Sequence, residues 1–326
     1  MFIYNYVLSD KSEMYYHFDQ IFHKESICFL DIETTGLNKN KSHIYLVGLL
    51  SFDPISSHWN ITQYFAEGLG EEEKILKYTN ESISKFKTLI TFNGESFDIP
   101  FINHRMSKYS IKSNMDNLSS FDIYKQIKKD SLFLNLENYK LKTIEKSLGI
   151  HREDPFSGKE CIDLYYKYQK SKKKCILDVI LKHNYDDLYY LIDVLNIFDL
   201  ILEAKRLHII RNEDKIEVEI ENMYSDGDMF NIVCKTSKAD NIAYFGSFFN
   251  IRWEDRSLFI NFEHNMGLIT PTKKCAFVDV SSWGLEDKIK DKSDYLTPEN
   301  IILLKVEDKY ELDNIKKIMK ELISIA

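Results

Sequence analysis

The chain has 326 residues, 44% of them hydrophobic and 13% aromatic, which is enough to bury the core of one large domain or two medium-sized ones. This composition excludes a disordered chain, and the formal net charge of −8 disfavours an overall attraction to nucleic acid. The charge is uneven, because residues 101–182 contain 17 Lys and Arg against 10 Asp and Glu. Such a segment is compatible with a polyanionic partner, or with lysine-rich helix faces exposed to solvent.

Cysteine usage and hydropathy indicate the compartment. The cysteines form neither a C-x-x-C pair nor a zinc-ligand pattern, and they are Cys28, Cys161, Cys175, Cys234 and Cys275. An odd, scattered set predicts a reducing environment and no structural zinc. The N-terminus lacks a basic region followed by a long apolar stretch, and no apolar run is long enough to span a membrane. We therefore expect a soluble, cytoplasmic protein with no membrane partner.

The first 65 residues predict three strands. Residues 1–25 predict a short lead-in helix or loop without recognisable chemistry. Ile27–Ile32 begins as an apolar run, which favours a buried strand. His43–Phe52 and Trp59–Phe65 are further strands, and the turn signals at residues 53–57 join them as a hairpin. These short connections predict an antiparallel meander.

Helices alternate with the next part of this sheet. Gly70–Phe86 has helical spacing and an acidic first turn, and a short buried strand follows at Leu89–Phe92. A strand that follows a helical crossover pairs in parallel with its neighbour, so the sheet is mixed. A further helix is predicted at Ile99–Tyr109. Residues 121–205 are mainly helical, and they end in a long helical segment from Cys175 to Arg206.

A β-rich region begins after residue 207. Lys215–Glu221 alternates strictly between apolar and polar residues. Five more strand-like runs follow, at Met229–Cys234, Ile242–Trp253, Ser257–Phe262, Cys275–Val280 and Ile301–Val306. We therefore place a boundary near residues 208–214. It separates a domain of residues 26–207 from a smaller β-rich (α+β) domain of residues 212–326.

The role of the second domain stays open at the level of sequence. Its strands are rich in aromatic residues, which form either a β core or a platform on which bases stack. Residues 212–326 hold 15 basic and 22 acidic residues, which does not favour an electrostatic attraction to nucleic acid. The final segment, Leu312–Ile325, predicts an amphipathic helix that packs on this sheet or on a partner.

Two carboxylates follow the first buried strand. Asp31 and Glu33 are two residues apart, so their side chains leave the strand on the same face. Like charges held together at the end of a buried strand are unfavourable unless a cation neutralises them, and carboxylate oxygens are natural ligands of Mg²⁺ or Mn²⁺. The pair is therefore a candidate metal site. The alternative is a solvated strand end without a ligand.

Two later segments carry further candidates. Asp98 lies just beyond the strand at Leu89–Phe92, which could neighbour the strand of Asp31. His183 and Asp187 are four residues apart on a predicted helix, so they share a face. A histidine one turn from an aspartate is a plausible base and metal ligand, although a lone helix histidine more often packs or faces solvent.

Three short motifs together resemble the exonuclease motifs of the DEDD superfamily, which has the ribonuclease H-like fold: Asp31-x-Glu33, Asn93-x-x-x-Phe97-Asp98 and His183-x-x-x-Asp187. The motif sequences are most similar to those of the predicted exonuclease family of the YprB type. The resemblance covers about residues 25–205, including Phe121-Asp122 and the stretch from Leu141 to Gly158. It does not reach the C-terminal third of the chain.

The resemblance implies a role for each matched residue. Asp31, Glu33, Asp98 and Asp187 would be the metal-binding carboxylates, and His183 would orient or deprotonate the attacking water. It also implies an α/β fold with a mixed sheet flanked by helices, two Mg²⁺ or Mn²⁺ ions, and 3′-to-5′ exonuclease activity. The substrate would be a single-stranded end of RNA or DNA.

One departure from the family pattern concerns the base. Members of the superfamily place either a tyrosine four residues before the last aspartate or a histidine five residues before it. Here His183 occupies the four-residue position and Lys182 the five-residue position relative to Asp187. Asp186 is an alternative last ligand, but its own four-residue position is also Lys182.

Two other functions compete with the nuclease interpretation. One is a non-catalytic nucleic-acid-binding protein with a vestigial ribonuclease H-like site, and the presence of every expected carboxylate argues against it. The other is the ATP-binding sugar-kinase or actin branch of ribonuclease H-like folds. That branch requires a glycine-rich phosphate loop after the first strand, whereas Thr34-Thr35-Gly36 supplies one glycine before Leu37.

Overall fold

The computed structural model describes residues 1–11, 18, 21–153, 155–211 and 213–326. Two compact units are present. The first consists of Met1–Lys129 and Leu136–Ile197, and the second consists of Asp130–Asn135 and Phe198–Ala326. The second unit therefore includes a short segment from the middle of the chain.

The first unit is built on a mixed sheet. Among the described residues this sheet has six strands: β1 (Phe2–Leu8), β2 (Ile27–Thr34), β3 (Ile44–Asp53), β4 (His58–Phe65), β5 (Thr88–Thr91) and β6 (Ser119–Asp122). The strand order is β1-β4-β3-β2-β5-β6, in which the first four strands pair antiparallel and the last two run parallel to β2. The predicted meander, the parallel strand and the α/β fold class are confirmed.

The N-terminal prediction was wrong. Residues 2–8 form β1, which pairs with β4 along its whole length, rather than a lead-in helix or loop. The sequence Phe-Ile-Tyr-Asn-Tyr-Val-Leu is aromatic and β-branched, which suits a strand, but its partner lies more than 50 residues away. Residues 12–17, 19 and 20 of the predicted lead-in lie outside the described residues. The short strand β6 was also missed.

Helices cover both faces of this sheet. Those described in the first unit are α1 (Glu72–Ile83), α2 (Asp98–Lys108), α3 (Ile123–Lys129), α4 (Leu141–Ser147), α5 (Gly158–Ser171), α6 (Lys174–Tyr189) and α7 (Leu191–Val194). The next helix, α8 (Ile197–Lys205), begins at the last residue of the first unit. One core joins the sheet to α1 and α2, and another joins it to α5 and α6. The long helix predicted from Cys175 to Arg206 is instead divided into α6, α7 and α8.

The second unit contains two antiparallel sheets and a C-terminal helix. Its described strands are β7 (Arg206–Arg211), β8 (Asp214–Asp226), β9 (Met229–Phe245), β10 (Phe249–Glu263), β11 (Asn265–Leu268), β12 (Lys274–Asp279), β13 (Ile301–Val306) and β14 (Lys309–Tyr310). The helix α9 (Leu312–Ile325) buries its apolar face in the core shared by both sheets. The predicted C-terminal helix is therefore confirmed, and it packs within this unit.

In the second unit, one predicted strand is wrong, and the aromatic residues can be assigned to buried or exposed positions. Ile242–Trp253 is not one strand, because the chain reverses between β9 and β10, where Gly246 and Phe249 are hydrogen-bonded. The aromatic residues are divided between two environments. Trp253 is buried in the core, whereas Phe245 is 75% exposed. Among the described residues, no helix is both long and apolar enough to cross a membrane.

Close packing of α6 against the sheet depends on Gly48. This residue lies opposite Asp31 in the β2–β3 register. A Cβ atom on it would lie 2.3 Å from Asn184 Oδ1 and 2.5 Å from Leu188 Cδ1, both on α6. Gln63 on β4 ties the same helix down, because its amide donates hydrogen bonds of 2.8 Å to Leu181 O and to Asn184 Oδ1. The backbone of β3 is therefore the surface on which α6 sits.

We predict that Gly48→Ala destabilises the protein, because the added methyl group must displace α6 from the sheet. Overpacking of this kind costs about 1–3 kcal/mol in the free energy of unfolding, measured by urea titration. Gly70→Ala is the matched control, because a Cβ there meets nothing within 4 Å. Equal unfolding midpoints for both variants would contradict the packing described here.

Candidate active site

Three carboxylates converge at the end of β2. Asp31 and Glu33 lie on this strand, and Asp187 lies in the last turn of α6. Oxygen atoms of the three side chains all lie within 4.8 Å of one another, with Glu33 buried and the other two half-buried. The period-two spacing on the strand and the packing of α6 against it produce this arrangement. The structure thus brings together three of the four carboxylates named from the sequence.

His183 lies one turn before Asp187 and contacts the same group. Its Nε2 atom is 3.4 Å from Glu33 Oε1 and 3.7 Å from Asp187 Oδ2, and the ring is buried. The alternative ligand Asp186 points elsewhere and forms an ion pair of 2.7 Å with Lys182. The four-residue spacing therefore places His183 and Asp187 on the helix face that meets β2.

Asp98 is adjacent to the group but outside its closest set. It is the first residue of α2, and its Oδ1 atom accepts a hydrogen bond of 3.1 Å from the backbone N–H of Ile32, between Asp31 and Glu33. The preceding turn is held by buried Asp122, which accepts from the backbone N–H of Asn93 at 2.9 Å. The carboxylate of Asp98 is therefore fixed against the backbone of β2.

Burial and mutual repulsion make these carboxylates poor acids. Burial first, and then the charges of Asp187, Asp98 and Glu33, raise the pKa of Asp31 well above its usual value. Burial raises the pKa of Glu33 to about 7, although His183 opposes this shift. Burial also raises the pKa of Asp98 to about 7, against the hydrogen bond from Ile32. The group thus favours either protonation or a bound cation.

One cation within the chain already approaches the group. The buried guanidinium of Arg152 forms an ion pair with Asp187 and lies 3.1 Å from Glu145 Oε2. Burial raises the pKa of Glu145 to about 7, and Arg152 opposes that shift. The sequence motifs did not include Arg152. The sequence does distinguish Arg152 in one way, because it is the one arginine between Arg105 and Arg206 in a segment otherwise rich in lysine. Arginine is the residue type that most often pairs with buried carboxylates.

Two neutral side chains orient the carboxylates and were also missed. Asn184 Nδ2 donates a hydrogen bond of 2.7 Å to Asp31 Oδ2, which lowers the cost of keeping Asp31 ionised. The Tyr45 hydroxyl donates to Glu33 Oε2 at 3.3 Å. The position of Asn184 next to His183 in the sequence could have identified it as a site residue. Tyr45 lies in an apolar run, and nothing in the sequence around it indicates a role in the site.

A cleft of about 670 Å³ opens over the carboxylates. Asp31, Glu33, His183 and Asp187 all line it. Its remaining walls combine basic and apolar side chains, which include Lys140, Lys142, Arg152, Lys159, Leu37, Phe97, Phe156 and Ile162. An acidic floor beneath a partly basic wall suits an anionic ligand bridged to the carboxylates by metal, as expected for a phosphodiester.

The donor set fits Mg²⁺ or Mn²⁺. Each of the three converging groups offers a hard carboxylate oxygen, the ligand type that these ions prefer. Burial raises the pKa of Asp31 and Glu33, so their ionised forms are unfavourable without additional positive charge. A divalent cation would relieve the repulsion that burial imposes. Asp31, Glu33 and Asp187 would bind the cation directly. Asp98, which lies against the backbone of β2, would add a further negative charge beside it.

Solved structures with similar architecture include exonucleases. The chain is similar over 66% of its length to a zinc-bound complex of Escherichia coli exonuclease I with single-stranded DNA, at 12% identity and a TM-score of 0.34. The same share matches that enzyme in complex with a dA16 oligonucleotide, at 13% identity and a TM-score of 0.32. The chain covers 55% of the matched protein in both cases.

A polymerase is also among the similar structures. The family B DNA polymerase from Pyrobaculum calidifontis matches 55% of this chain and 25% of its own length, at 12% identity and a TM-score of 0.40. No curated protein sequence matches the chain significantly. The model of a sequence family, described as the RNase_H superfamily, matches residues 28–198, which is just over half of the 326 residues. The chain therefore belongs to the RNase_H superfamily.

Proposed function

We propose that this protein is a metal-dependent nuclease that hydrolyses phosphodiester bonds of nucleic acid, acting as a 3′-to-5′ exonuclease of the YprB type. The observation that carries the proposal is the convergence of Asp31, Glu33 and Asp187 on the floor of a cleft with a partly basic wall. The substrate is a single-stranded end of RNA or DNA. The cofactor is a pair of Mg²⁺ or Mn²⁺ ions, and the site of action is the cytoplasm.

The chain's own residues divide the work of hydrolysis. Asp31, Glu33, Asp98 and Asp187 would hold the cations, and bound cations would lower the pKa of water and stabilise the departing oxygen. Asn184 and Tyr45 hold two of these carboxylates in place through hydrogen bonds. Because their positions are fixed before the substrate arrives, little reorganisation is needed during the reaction.

His183 is the proposed base. Its contacts with Glu33 and Asp187 place the imidazole at the edge of the carboxylate group, facing the cleft. From there it would orient or deprotonate the attacking water. The lysines of the cleft wall would bind the phosphates of the strand, and the half-buried rings of Phe97 and Phe156, which also line the cleft, would contact its bases.

The alternative function is a nucleic-acid-binding protein with a vestigial site. Both functions require the basic wall, so binding alone does not separate them. They differ in the carboxylates, because a binding module gains nothing from burying several charges that repel one another. The discriminating experiment is incubation of the purified chain with 5′-labelled and 3′-labelled single-stranded RNA and DNA, in Mg²⁺, Mn²⁺ or EDTA.

We predict that Asp31→Asn abolishes cleavage and makes the metal-free protein equally or more stable near neutral pH. The folded-state pKa of the buried carboxyls is raised, so their contribution to stability is present below about pH 4 and is lost as pH rises through about 7. Removing one charge relieves that loss. Thermal unfolding with and without Mg²⁺ checks this, since the cation should raise the melting temperature of the wild type more than that of Asp31→Asn. Cleavage by Asp31→Asn, or in excess EDTA, would refute the metal mechanism.

We predict that His183→Ala lowers turnover by roughly a hundredfold to ten-thousandfold, the usual contribution of a positioned general base. Substrate affinity, measured separately by fluorescence anisotropy in Ca²⁺, should change little. His208→Ala is the control, because that histidine is exposed on β7. If His183→Ala loses stability yet keeps its specific activity per folded molecule, the histidine serves packing only.

We predict that the cleft lysines set the salt dependence of binding. Replacing Lys140, Lys142 and Lys159 together with glutamine should weaken binding and reduce the slope of log K against log salt by about 0.7 for each phosphate of a single strand that the protein no longer neutralises. The control replaces Lys172, Lys173 and Lys174, which are exposed and do not line the cleft. Equal slopes in the two triple variants would place the substrate path elsewhere.

A further inference from the structure

A second donor group overlaps the carboxylate site. Glu33 on β2, Cys161 on α5 and His183 on α6 are all buried, and one oxygen, one sulfur and one nitrogen atom of these side chains lie within 4.8 Å of one another. We propose that this group binds Zn²⁺ or a similarly soft divalent cation, and that its occupation inhibits the nuclease. The zinc binding stands on its own, while the inhibition rests on the proposed function.

The spacing of one donor pair within the group suits a tetrahedral ion. His183 Nε2 lies 3.4 Å from Glu33 Oε1, which is longer than an ordinary N–H···O hydrogen bond. Two ligand atoms that each lie about 2.0–2.1 Å from Zn²⁺ at a tetrahedral angle are separated by about 3.3 Å. The two atoms are therefore already separated as two zinc ligands would be. The thiol is the third donor, and zinc sites outside purely structural centres often have three protein ligands.

The chemistry of the donors separates two classes of metal. Mg²⁺ takes oxygen ligands, which the group of Asp31, Glu33 and Asp187 supplies. A thiolate is a soft ligand that Mg²⁺ avoids and Zn²⁺ favours, and imidazole suits zinc equally well. The two groups therefore select different ions. They share Glu33, so an ion that recruits this carboxylate to Cys161 and His183 removes it from the oxygen group.

Packing alone accounts for only part of this arrangement. Cys161 lies on the inner face of α5 with Tyr165 and Tyr168, and a buried cysteine can serve there as a small apolar side chain. That explains why the thiol is buried. It does not explain why the thiol meets the imidazole and the carboxylate that the proposed chemistry needs.

Inhibition follows from the residues that zinc would occupy. Zinc coordinated by His183 removes the lone pair that the imidazole needs to act as a base. Zinc coordinated by Glu33 also weakens the binding of the catalytic cation. Zinc should therefore inhibit cleavage in competition with Mg²⁺, and the inhibition should depend on Cys161, which the proposed hydrolysis does not use.

Direct metal binding is the first test. The metal-stripped full-length protein is titrated with Zn²⁺ alone, and with Co²⁺ as a spectroscopic substitute whose thiolate charge-transfer band reports a metal–sulfur bond. We expect this band in the wild type and in Cys175→Ser, whose thiol is exposed. Cys161→Ser should lose the band and bind Zn²⁺ at least about tenfold to a hundredfold more weakly, since even loss of an outer-shell partner costs that much. Wild-type zinc affinity in folded Cys161→Ser would overturn the proposal.

A second variant keeps the test decisive if Cys161→Ser fails to fold. Asp31→Asn leaves Glu33, Cys161 and His183 intact, so it should retain the cobalt–thiolate band while its oxygen group is weakened. Absence of the band from folded Asp31→Asn would contradict a site made of these three residues.

Cleavage assays then test the inhibition. In the wild type, rising Mg²⁺ should raise the Zn²⁺ concentration needed for half-inhibition, and Cys161→Ser should raise it by about tenfold or more, in line with its weaker zinc binding. An equal half-inhibitory concentration in both proteins would refute inhibition through Cys161. The two proposals fail separately: a cobalt–thiolate band without any cleavage refutes the nuclease alone, and cleavage without the band refutes the zinc site alone.

Discussion

The burial of neighbouring carboxylates, reinforced by their mutual repulsion, is the constraint on which the candidate site depends. Burial raises the pKa of Asp31, Glu33 and Asp98, so folding favours the protonated, neutral form of these side chains over the ionised form. Such a group persists only where rigid elements prevent the side chains from moving apart. Hydrogen bonds to the carboxylates offset part of the cost of keeping them ionised. The ion pair of Arg152 with Asp187 offsets a further part. The remaining negative charge would favour the binding of a cation.

Rigidity in turn comes from the close approach of α6 to the sheet. Because Gly48 on β3 has no side chain, Asn184 on α6 can approach the sheet closely and donate a hydrogen bond to Asp31. This close approach positions the helix that carries His183 and Asp187. The acidic pair and the helical pair are thus brought together by backbone packing, not by their attraction for one another. A candidate metal site assembled in this way would not require the metal to bring its ligands together.

Local sequence periodicity predicted the parts of the site that lie on single elements. The spacing of Asp31 and Glu33 is a property of one strand, and that of His183 and Asp187 a property of one helix. Arg152 could not be found in this way, because it belongs to no helix or strand and meets Asp187 only in the folded chain. The edge strand β1 was missed because only its last residue is buried, so its sequence shows no buried apolar run.

The proposed zinc site illustrates the same limit and adds an argument about selectivity. Its donors come from three elements, and Glu33 lies more than 100 residues before the other two, so no spacing rule detects them. The scattered cysteines likewise predicted no structural zinc. Oxygen ligands alone select weakly against transition metals, which bind most sites more tightly than Mg²⁺. A thiol beside such a group increases that imbalance, because it offers zinc a ligand that magnesium cannot use. With Cys161 close to Glu33 and His183, the activity of the site would follow the balance between free Mg²⁺ and free Zn²⁺.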